Sequence, residues 1–172
     1  SDRNMTYEIH PDVCAGTVAS DEALPCPIMQ MNQVHDVKVA VVDRVDIPQD
    51  ELDGCDAIMT DLPGVAIGVR TADCIPVLLY DPVKKAAAAI HSGWKGTVSK
   101  IISKTVTKMR TAYSSQPSDL LAFIGPGICM DCFQVGEEVA LKFKEAGFDI
   151  DSLWAFRGPK TGNGMEGGHH ID

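Results

Sequence analysis

The sequence predicts an α+β domain whose central element is an antiparallel β-hairpin over about residues 75–90. Two short apolar runs, Ile75–Tyr80 and Ala86–Ile90, flank a five-residue break that begins with Asp81 and Pro82. Apolar runs on either side of such a break are typical of two strands joined by a turn. Further strand-like runs lie before and after this hairpin, and two helical stretches follow it. Together these patterns give the α+β class.

The other strands are predicted from short runs bounded by turn residues. Four such runs, apolar or β-branched, indicate strands at Val37–Val42, Ala57–Thr60, Val65–Val69 and Leu120–Ile124. Pro25–Pro27 is predicted to be an extended connector, because proline disfavours helix within itself and before itself. Residues 157–168 are rich in glycine, which predicts a mobile tract.

Two helices are predicted from the spacing of apolar residues. From Val98 to Met109, apolar positions recur at helical intervals, and Thr97 or Ser99 is the expected cap. A second helix is predicted over Val135–Ala146, where Gly147 supplies the stop.

Length and charge limit the function classes. The chain has 172 residues with 45% hydrophobic and 23% charged residues, which is ordinary for one globular domain over residues 1–172. The net charge of −9 disfavours a broad nucleic-acid surface, because phosphate contacts need clustered Lys and Arg. No apolar run approaches the roughly 20 residues of a membrane helix. We therefore expect neither a nucleic-acid nor a membrane partner.

The six cysteines are interpreted as reduced thiols. In a small secreted protein six cysteines would suggest three disulfides, but no export signal is visible in this long, core-rich chain. Reduced thiols are the rule in the cytosol. The cysteine usage therefore predicts a cytoplasmic protein.

The predicted hairpin brings Cys74 and His91 together. For a turn centred between Pro82 and Val83, paired positions add to 165, as 74 and 91 do. Directly paired Cβ atoms lie about 4.5–5.5 Å apart, a gap that one zinc ion could bridge with its bonds of about 2.0–2.3 Å. The other interpretation is a buried thiol beside a hydrogen-bonded histidine. A register slip of one residue would put the two side chains on opposite faces.

Several charged or polar residues near this pair are candidate binding groups. Arg70 ends a predicted strand close to Cys74, where it binds an anion, pairs with Asp73 or is simply solvated. Lys95 lies in a glycine-rich turn that opens a predicted helix, a setting that favours anions but is also common where nothing binds. Cys129 and Cys132 form a lone C-x-x-C, which is either a redox or metal pair or two unrelated thiols.

The motifs of the chain, taken in order, resemble one family. N-Q-V-H (32–35), R-T-A-D-C-I-P-V-L-L-Y-D (70–81), A-I-H-S-G-W-K-G-T (89–97), I-G-P-G-I (124–128) and F-Q-V-G-E-E-V (133–139) closely resemble the laccase-domain family. This family, also described as YfiH-type or polyphenol-oxidase-like, is a purine nucleoside phosphorylase family. The resemblance implies layered mixed β-sheets flanked by helices in a single domain, of which this sequence is either a form trimmed at both ends or a part that lacks some segments.

The resemblance also implies a metal centre. Its ligands are the histidine of N-Q-V-H, the cysteine of T-A-D-C and the histidine of H-S-G-W, which are His35, Cys74 and His91. Two imidazoles and one thiolate suit Zn²⁺, with copper as the alternative. Three protein ligands leave a fourth position for water or substrate, as in catalytic zinc sites.

The implied activity is phosphorolysis of adenosine and inosine, with cleavage of methylthioadenosine and deamination of adenosine. The implied partners are purine nucleosides and phosphate, and we expect a monomer or weak homodimer. The three ligands and Asp73 are the implied catalytic residues, Asp73 as a ligand orienter or proton shuttle unless it only bonds its own turn. The implied substrate- and phosphate-binding residues are Arg70, Lys95, Gln33 and His170. Of these, Gln33 is alternatively a cap of the strand, and His170 belongs to a closing H-I-D segment like the H-L-D of the family.

Three other functions compete with this one. A metal-free dyad of Cys74 and His91 would make the protein a hydrolase or deamidase, since a neighbouring base activates a thiol. A copper-dependent polyphenol oxidase would need many histidines, whereas the chain has five and no H-x-H pair. A non-enzymatic partner or scaffold would leave adenosine unchanged in the presence of phosphate.

Overall fold

The structure is a computed structural model that describes residues 28–150, 154–157 and 168–171. The chain forms two compact units, residues 1–126 and 127–172. One domain over residues 1–172 stays a prediction. The predicted connector Pro25–Pro27 lies outside the described residues, as does most of the glycine-rich tract 157–168.

The first unit contains most of the regular structure. Its elements follow one another as β1 (Ile28–Met29), β2 (Val39–Val42), α1 (Gln49–Leu52), β3 (Ala57–Thr60), β4 (Ala66–Ile67), β5 (Ile75–Asp81), β6 (Ala86–Ser92), α2 (Trp94–Val98), α3 (Ile101–Tyr113), a 3₁₀ turn (Pro117–Asp119) and β7 (Leu121–Ile124). Five of the strands form a sheet in the order β2-β3-β6-β5-β7, parallel between β2 and β3 and antiparallel elsewhere. The predicted mixed α+β class is confirmed, and its four strands outside the hairpin are found with ends that shift by up to two residues.

The five-stranded sheet is the middle layer of this unit. All residues of β3 and β6 are buried, which explains why these strands are continuous apolar runs rather than alternating ones. On one face the sheet packs against α3 through Ile101 and Met109. On the other face its residues pack with Leu52 of α1 and Ile67 of β4. Burial of both faces makes the sheet a rigid platform for side chains at its ends.

The central hairpin is present, but the register predicted from a sum of 165 is wrong. Ile75 pairs with Ser92 and Asp81 pairs with Ala86, so paired positions add to 167. The reason is the length of the turn. Four residues separate Asp81 from Ala86, whereas the predicted register assumes a two-residue turn of Pro82 and Val83. Asp81 Oδ1 accepts hydrogen bonds from the N–H groups of Val83 and Lys84, at 2.9 Å each.

The corrected register keeps Cys74 and His91 on one face. It pairs Pro76 with His91 and so moves Cys74 two residues along from the position expected from the sequence. Side chains alternate between the faces of a strand with period two, so a displacement by two residues changes the distance along the strands but not the face.

The predicted cap of the first helix is also wrong. The helical region begins at Trp94, with Gly93 at the N-cap, and is divided by Lys100, whose φ of 62° is left-handed. No side chain caps α3, and the Thr97 hydroxyl donates instead to the carbonyl of Gly93 at 3.0 Å. The apolar spacing located the helix but not the break within it.

The second unit consists of β8 (Gln134–Val135), α4 (Glu137–Glu145), β9 (Trp154–Arg157) and β10 (Gly168–Ile171). Its sheet has the order β8-β10-β9 and is antiparallel. The predicted helix is confirmed, with Gly147 at φ +81° beyond its end. It begins two residues later than predicted because Gln134 and Val135 pair with β10. Among the described residues, no helix is both long and apolar enough to cross a membrane.

Candidate metal centre

Three of the predicted residues converge at one end of the five-stranded sheet. His35 lies in the loop before β2, Cys74 directly before β5, and His91 near the end of β6. Because β6 is antiparallel to β5 and β3, its end lies beside their beginnings. The potential ligand atoms of the three side chains all lie within 4.8 Å of one another. The sheet topology therefore gathers residues that are up to 56 positions apart in the chain.

The three side chains face one another directly. The distance from Cys74 Sγ to His35 Nε2 is 3.8 Å. The imidazole rings of His35 and His91 have centroids 4.7 Å apart and are nearly perpendicular, at 80°. His91 is buried, Cys74 is half-buried and His35 is exposed. The cluster thus opens towards solvent on the side of His35.

The orientation of His91 is fixed by Asp56. His91 Nδ1 lies 2.7 Å from Asp56 Oδ1, and the main-chain N–H of His91 donates to the carbonyl of Asp56 at 2.8 Å. An ionised carboxylate can only accept hydrogen bonds, so Nδ1 carries the proton. The other ring nitrogen, Nε2, is left to act as a ligand.

The same carboxylate holds the loop that carries His35. It accepts hydrogen bonds from the main-chain N–H groups of Val34 (3.1 Å), His35 (2.9 Å) and Asp36 (2.8 Å). His35 has a φ of 62°, a left-handed conformation that few residues other than glycine adopt. Three consecutive N–H groups therefore point at one side chain.

Asp56 is fully buried, and it is the site residue that sequence reasoning missed. Burial disfavours the charged form, but hydrogen bonds from Asp36 N–H, the His91 ring, and the N–H groups of Val34 and His35 outweigh it and lower the pKa of Asp56. The sequence presents Asp56 only as part of a turn. A usable signal was an acidic residue directly before the mostly apolar run Ala57–Thr60, since a carboxylate buried there needs several donors.

Burial raises the pKa of the Cys74 thiol, and the charges of Asp73 and Asp56 raise it further. Gly93 closes the site next to this thiol. A Cβ atom at position 93 would lie 3.0 Å from Cys74 Sγ and 3.0 Å from His35 Cδ2. Only glycine lets the main chain approach both side chains this closely.

The four residues predicted to bind substrate or phosphate differ from one another in their surroundings. The side-chain amide of Gln33 accepts from the N–H of Arg70 and donates to its carbonyl, both at 2.8 Å. Arg70 and Lys95 are exposed, and the Lys95 ammonium lies 5.7 Å from the ring centre of Trp94. His170 pairs with Gln134 and Ala155 in the sheet of the second unit. Their roles, and that of the exposed Asp73, stay predictions.

The thiols of the C-x-x-C motif are exposed and lie in the second unit. A hydrogen bond from the Cys132 side chain lowers the pKa of Cys129. Within the part of the chain that the structure describes, His35, Cys74 and His91 form the one group of three or more His, Cys, Asp or Glu residues close enough for a metal ion. The C-x-x-C therefore lacks a third ligand among the described residues.

The donor set of the cluster fits one transition-metal ion. Zinc binds imidazole nitrogen at about 2.0–2.1 Å and thiolate sulfur at about 2.3 Å, so tetrahedral ligand atoms lie about 3.3–3.6 Å apart. The separation of 3.8 Å between Cys74 and His35 is close to this. A carboxylate on the second nitrogen of a ligating histidine is a recurrent feature of zinc sites, and Asp56 supplies it for His91.

Comparison with known proteins places this geometry in a family. The family model described as "Multi-copper polyphenol oxidoreductase laccase" matches residues 14–172. The chain is 39% identical to "Adenosine deaminase RL5" of an unknown prokaryotic organism over 151 residues, which are 84% of this chain and 55% of that protein. It is 43% identical to a "Purine nucleoside phosphorylase" of Bacteroides thetaiotaomicron over 124 residues, 72% of this chain and 44% of that protein.

The fold is also similar to solved structures. The fold is similar to the crystal structure of Bacillus licheniformis hypothetical protein YfiH, with a TM-score of 0.72 and 26% identity over 84% of this chain and 54% of that chain. YlmD from Geobacillus stearothermophilus gives a TM-score of 0.68 at 27% identity, over 84% of this chain and 54% of that one. The chain spans about half the length of the curated relatives it matches.

Proposed function

Since this chain belongs to the multi-copper polyphenol oxidoreductase laccase family, we propose that it acts as a zinc-dependent purine nucleoside phosphorylase on adenosine and inosine. We extend the proposal to methylthioadenosine and to deamination of adenosine. The names of relatives at about 40% identity support the substrate class and both reaction types. The observation that carries the proposal is the close approach of His35, Cys74 and His91 around one point.

We propose one metal ion, and zinc in preference to copper. Two imidazoles and one thiolate suit zinc, and three protein ligands leave one position for water or substrate. A polyphenol oxidase that uses several coppers needs several ligand groups, whereas the described residues contain one group of three. A zinc ion held there would polarise a substrate oxygen or lower the pKa of a water molecule.

The residues around the candidate ligands have separate proposed roles in binding phosphate and substrate and in proton transfer. In phosphorolysis, a phosphate oxygen bonds to C1′ of the ribose as the bond from C1′ to the base nitrogen breaks. The exposed cations Arg70 and Lys95 bind the phosphate, because the net charge of −9 otherwise repels an anion. Gln33 holds the main chain of Arg70. Asp73 moves a proton to or from the base, and His170 contributes to substrate binding.

Product analysis tests the proposal. The protein is incubated with adenosine, with and without phosphate, and the products are separated by chromatography. We expect adenine and ribose 1-phosphate only with phosphate, and inosine without it. Cys74→Ser should lose both products, while Cys132→Ser, which changes an exposed thiol that is not one of the three candidate ligands, should form them as before. Absence of adenine and inosine from the wild-type reaction would contradict the proposal and favour a non-enzymatic role.

A metal-free hydrolase or deamidase is the second candidate, because Asp56 orients His91 as the third member of a nucleophile site would. An activated thiol has a lowered pKa, whereas the pKa of Cys74 is raised. Dialysis against a chelator separates the two candidates. The zinc enzyme should lose its activity and regain it with added zinc, while activity that survives chelation but not iodoacetamide would favour the dyad.

The cytoplasmic location and the monomer or weak homodimer stay predictions. Light scattering coupled to gel filtration tests the second of these, with a mass near 18.5 kDa expected for the monomer.

A further inference from the structure

We propose that Asp56 is the positioning residue of the metal centre, an inference that rests on the proposed function. One buried carboxylate holds both histidine ligands, one by its ring and the other by its main chain. Cys74 reaches the same point from the start of β5, with its sulfur facing His35. Two of the three ligands therefore depend on a residue that does not itself touch the metal.

The ring of His91 can turn only if its bond to Asp56 breaks. His91 Nδ1 and Asp56 Oδ1 are 2.7 Å apart, and both side chains are at least nine-tenths buried. The main chains of the two residues are joined as well, where the antiparallel pairing of β3 and β6 continues past Ala57 and Ile90. Ring and backbone are thus fixed together, with Nε2 aimed away from Asp56.

The backbone of His35 depends on the same carboxylate. The left-handed φ of 62° costs about 1–2 kcal/mol relative to ordinary conformations. Three hydrogen bonds from Val34, His35 and Asp36 to Asp56 hold the loop in this form. Without them the loop would be free to relax, and the exposed ring of His35 would leave the position opposite Cys74.

Asp56→Asn keeps the shape of the side chain and changes its hydrogen bonding. Asp56 accepts four hydrogen bonds on two oxygens. An asparagine has one accepting oxygen. Its NH₂ group would take the place of the other oxygen of Asp56 and would face the N–H donors that this oxygen now binds. Either the loop of His35 loses its bonds, or His91 must accept at Nδ1 and carry its proton on Nε2. Each outcome removes one ligand from the metal centre.

Zinc affinity, measured by competition with a chromophoric chelator, gives the first test. Changes in the hydrogen-bonding partners of metal ligands typically weaken metal binding by about 10–100-fold, and we expect a loss in this range for Asp56→Asn. Asp50→Asn, the same chemical change at an exposed position of α1, is the matched control and should bind zinc as the wild type does. Melting curves show whether each variant is folded.

The tautomer of His91 gives a second test, whose wild-type measurement stands even if the variant does not fold. Long-range ¹H–¹⁵N NMR of the metal-free wild-type protein should show the proton on Nδ1 of His91. A move of that proton to Nε2 in folded Asp56→Asn would support the proposal, because a purely structural role of Asp56 would not change the tautomer of His91. A proton on Nε2 in the wild type would overturn the proposal even if the variant does not fold.

The outcomes separate the two proposals. Wild-type zinc affinity in folded Asp56→Asn would overturn the positioning role and leave the proposed function standing. A wild-type protein that binds no zinc would contradict the proposed function and, with it, the role of Asp56.

Discussion

His35 combines a candidate ligand side chain with a backbone conformation that most residues avoid. Its φ of 62° is kept in place by the hydrogen bonds of the loop to Asp56. A β-carbon in the left-handed region approaches the following carbonyl, and glycine removes this contact. The identity of residue 35 therefore affects stability and metal binding through different atoms.

His35→Gly and His35→Ala should separate these two effects. Both variants lose the imidazole and should lose most of the zinc affinity. Because alanine keeps the β-carbon at a positive φ, we expect His35→Gly to unfold with a free energy about 1 kcal/mol higher than His35→Ala. Urea denaturation of the metal-free proteins measures the difference. Equal stabilities of the two variants would show that the backbone carries no such cost.

Gly93→Ala should disturb the site while sparing the fold. The φ of −73° and ψ of 167° at Gly93 suit alanine, but the new Cβ would press on Cys74 and His35 at 3.0 Å. We expect roughly tenfold weaker zinc binding, measured by chelator competition, with little change in the free energy of unfolding.

Gly64→Ala is the matched control for this substitution. Gly64 has a φ of +74°, and a Cβ added there would have no atom within 4 Å. The variant should lose about 1 kcal/mol of stability through its backbone and keep the zinc affinity of the wild type. Wild-type zinc affinity in Gly93→Ala together with weakened zinc binding in Gly64→Ala would contradict the assignment of Gly93 to the site.

At the residue scale, the sequence identified His35, Cys74 and His91 by resemblance, and the structure brings them together. It did not identify Asp56, because the role of that residue depends on the pairing of β3 with β6, which no local pattern encodes. The contacts of the Gln33 amide with the main chain of Arg70 also cross 37 positions of the chain, so no local pattern indicates them. The substrate-binding role of Gln33 stays a prediction.

At the scale of elements, the sequence predicts both strands of the central hairpin but pairs them in the wrong register. Its two apolar runs are unmistakable, but the register depends on the turn, where Asp81 bonds two N–H groups. The helices are predicted from apolar spacing, and their ends depend on the left-handed Lys100 and on the pairing of Gln134–Val135. Local composition therefore locates elements, while long-range pairing sets their limits.

The turn of the hairpin predicts a pH-dependent contribution to stability. Burial disfavours ionisation of Asp81. Its carboxylate lies near the Ser115 hydroxyl, without a full hydrogen bond to it, and accepts from the N–H groups of Lys84 and Val83; these polar groups outweigh burial and lower the pKa below the ordinary value of 3.8. The charged carboxylate therefore stabilises the fold above about pH 4. This contribution is lost as the pH falls through the lowered pKa.

Asp81→Asn tests this contribution. We expect a loss of about 1–3 kcal/mol at pH 7, because asparagine keeps the two N–H bonds only in their weaker, uncharged form and places a buried NH₂ group where Oδ2 has no hydrogen-bond partner. The difference from the wild type should shrink as the pH falls below about 4. Denaturation at about pH 7, 4 and 3 measures it, and Asp50→Asn provides an exposed acidic control. A difference that grows towards low pH would contradict the lowered pKa.

At the scale of the whole molecule, the chain has the family fold but about half the length of its curated relatives. The candidate metal ligands lie within one compact unit, residues 1–126, so the three of them come together without a ligand from the second unit. Metal binding can therefore be measured independently of turnover, which also depends on substrate contacts such as the one predicted for His170.

The metal content of freshly purified protein decides whether this centre exists. Elemental mass spectrometry should find about one zinc per wild-type chain, as expected for a single three-ligand site. Cys132→Ser should carry the same amount, and Cys74→Ser less than about a tenth of it, because the thiolate is a principal ligand. A wild-type protein without bound metal, or a Cys74→Ser variant with wild-type zinc content, would contradict a metal centre at His35, Cys74 and His91.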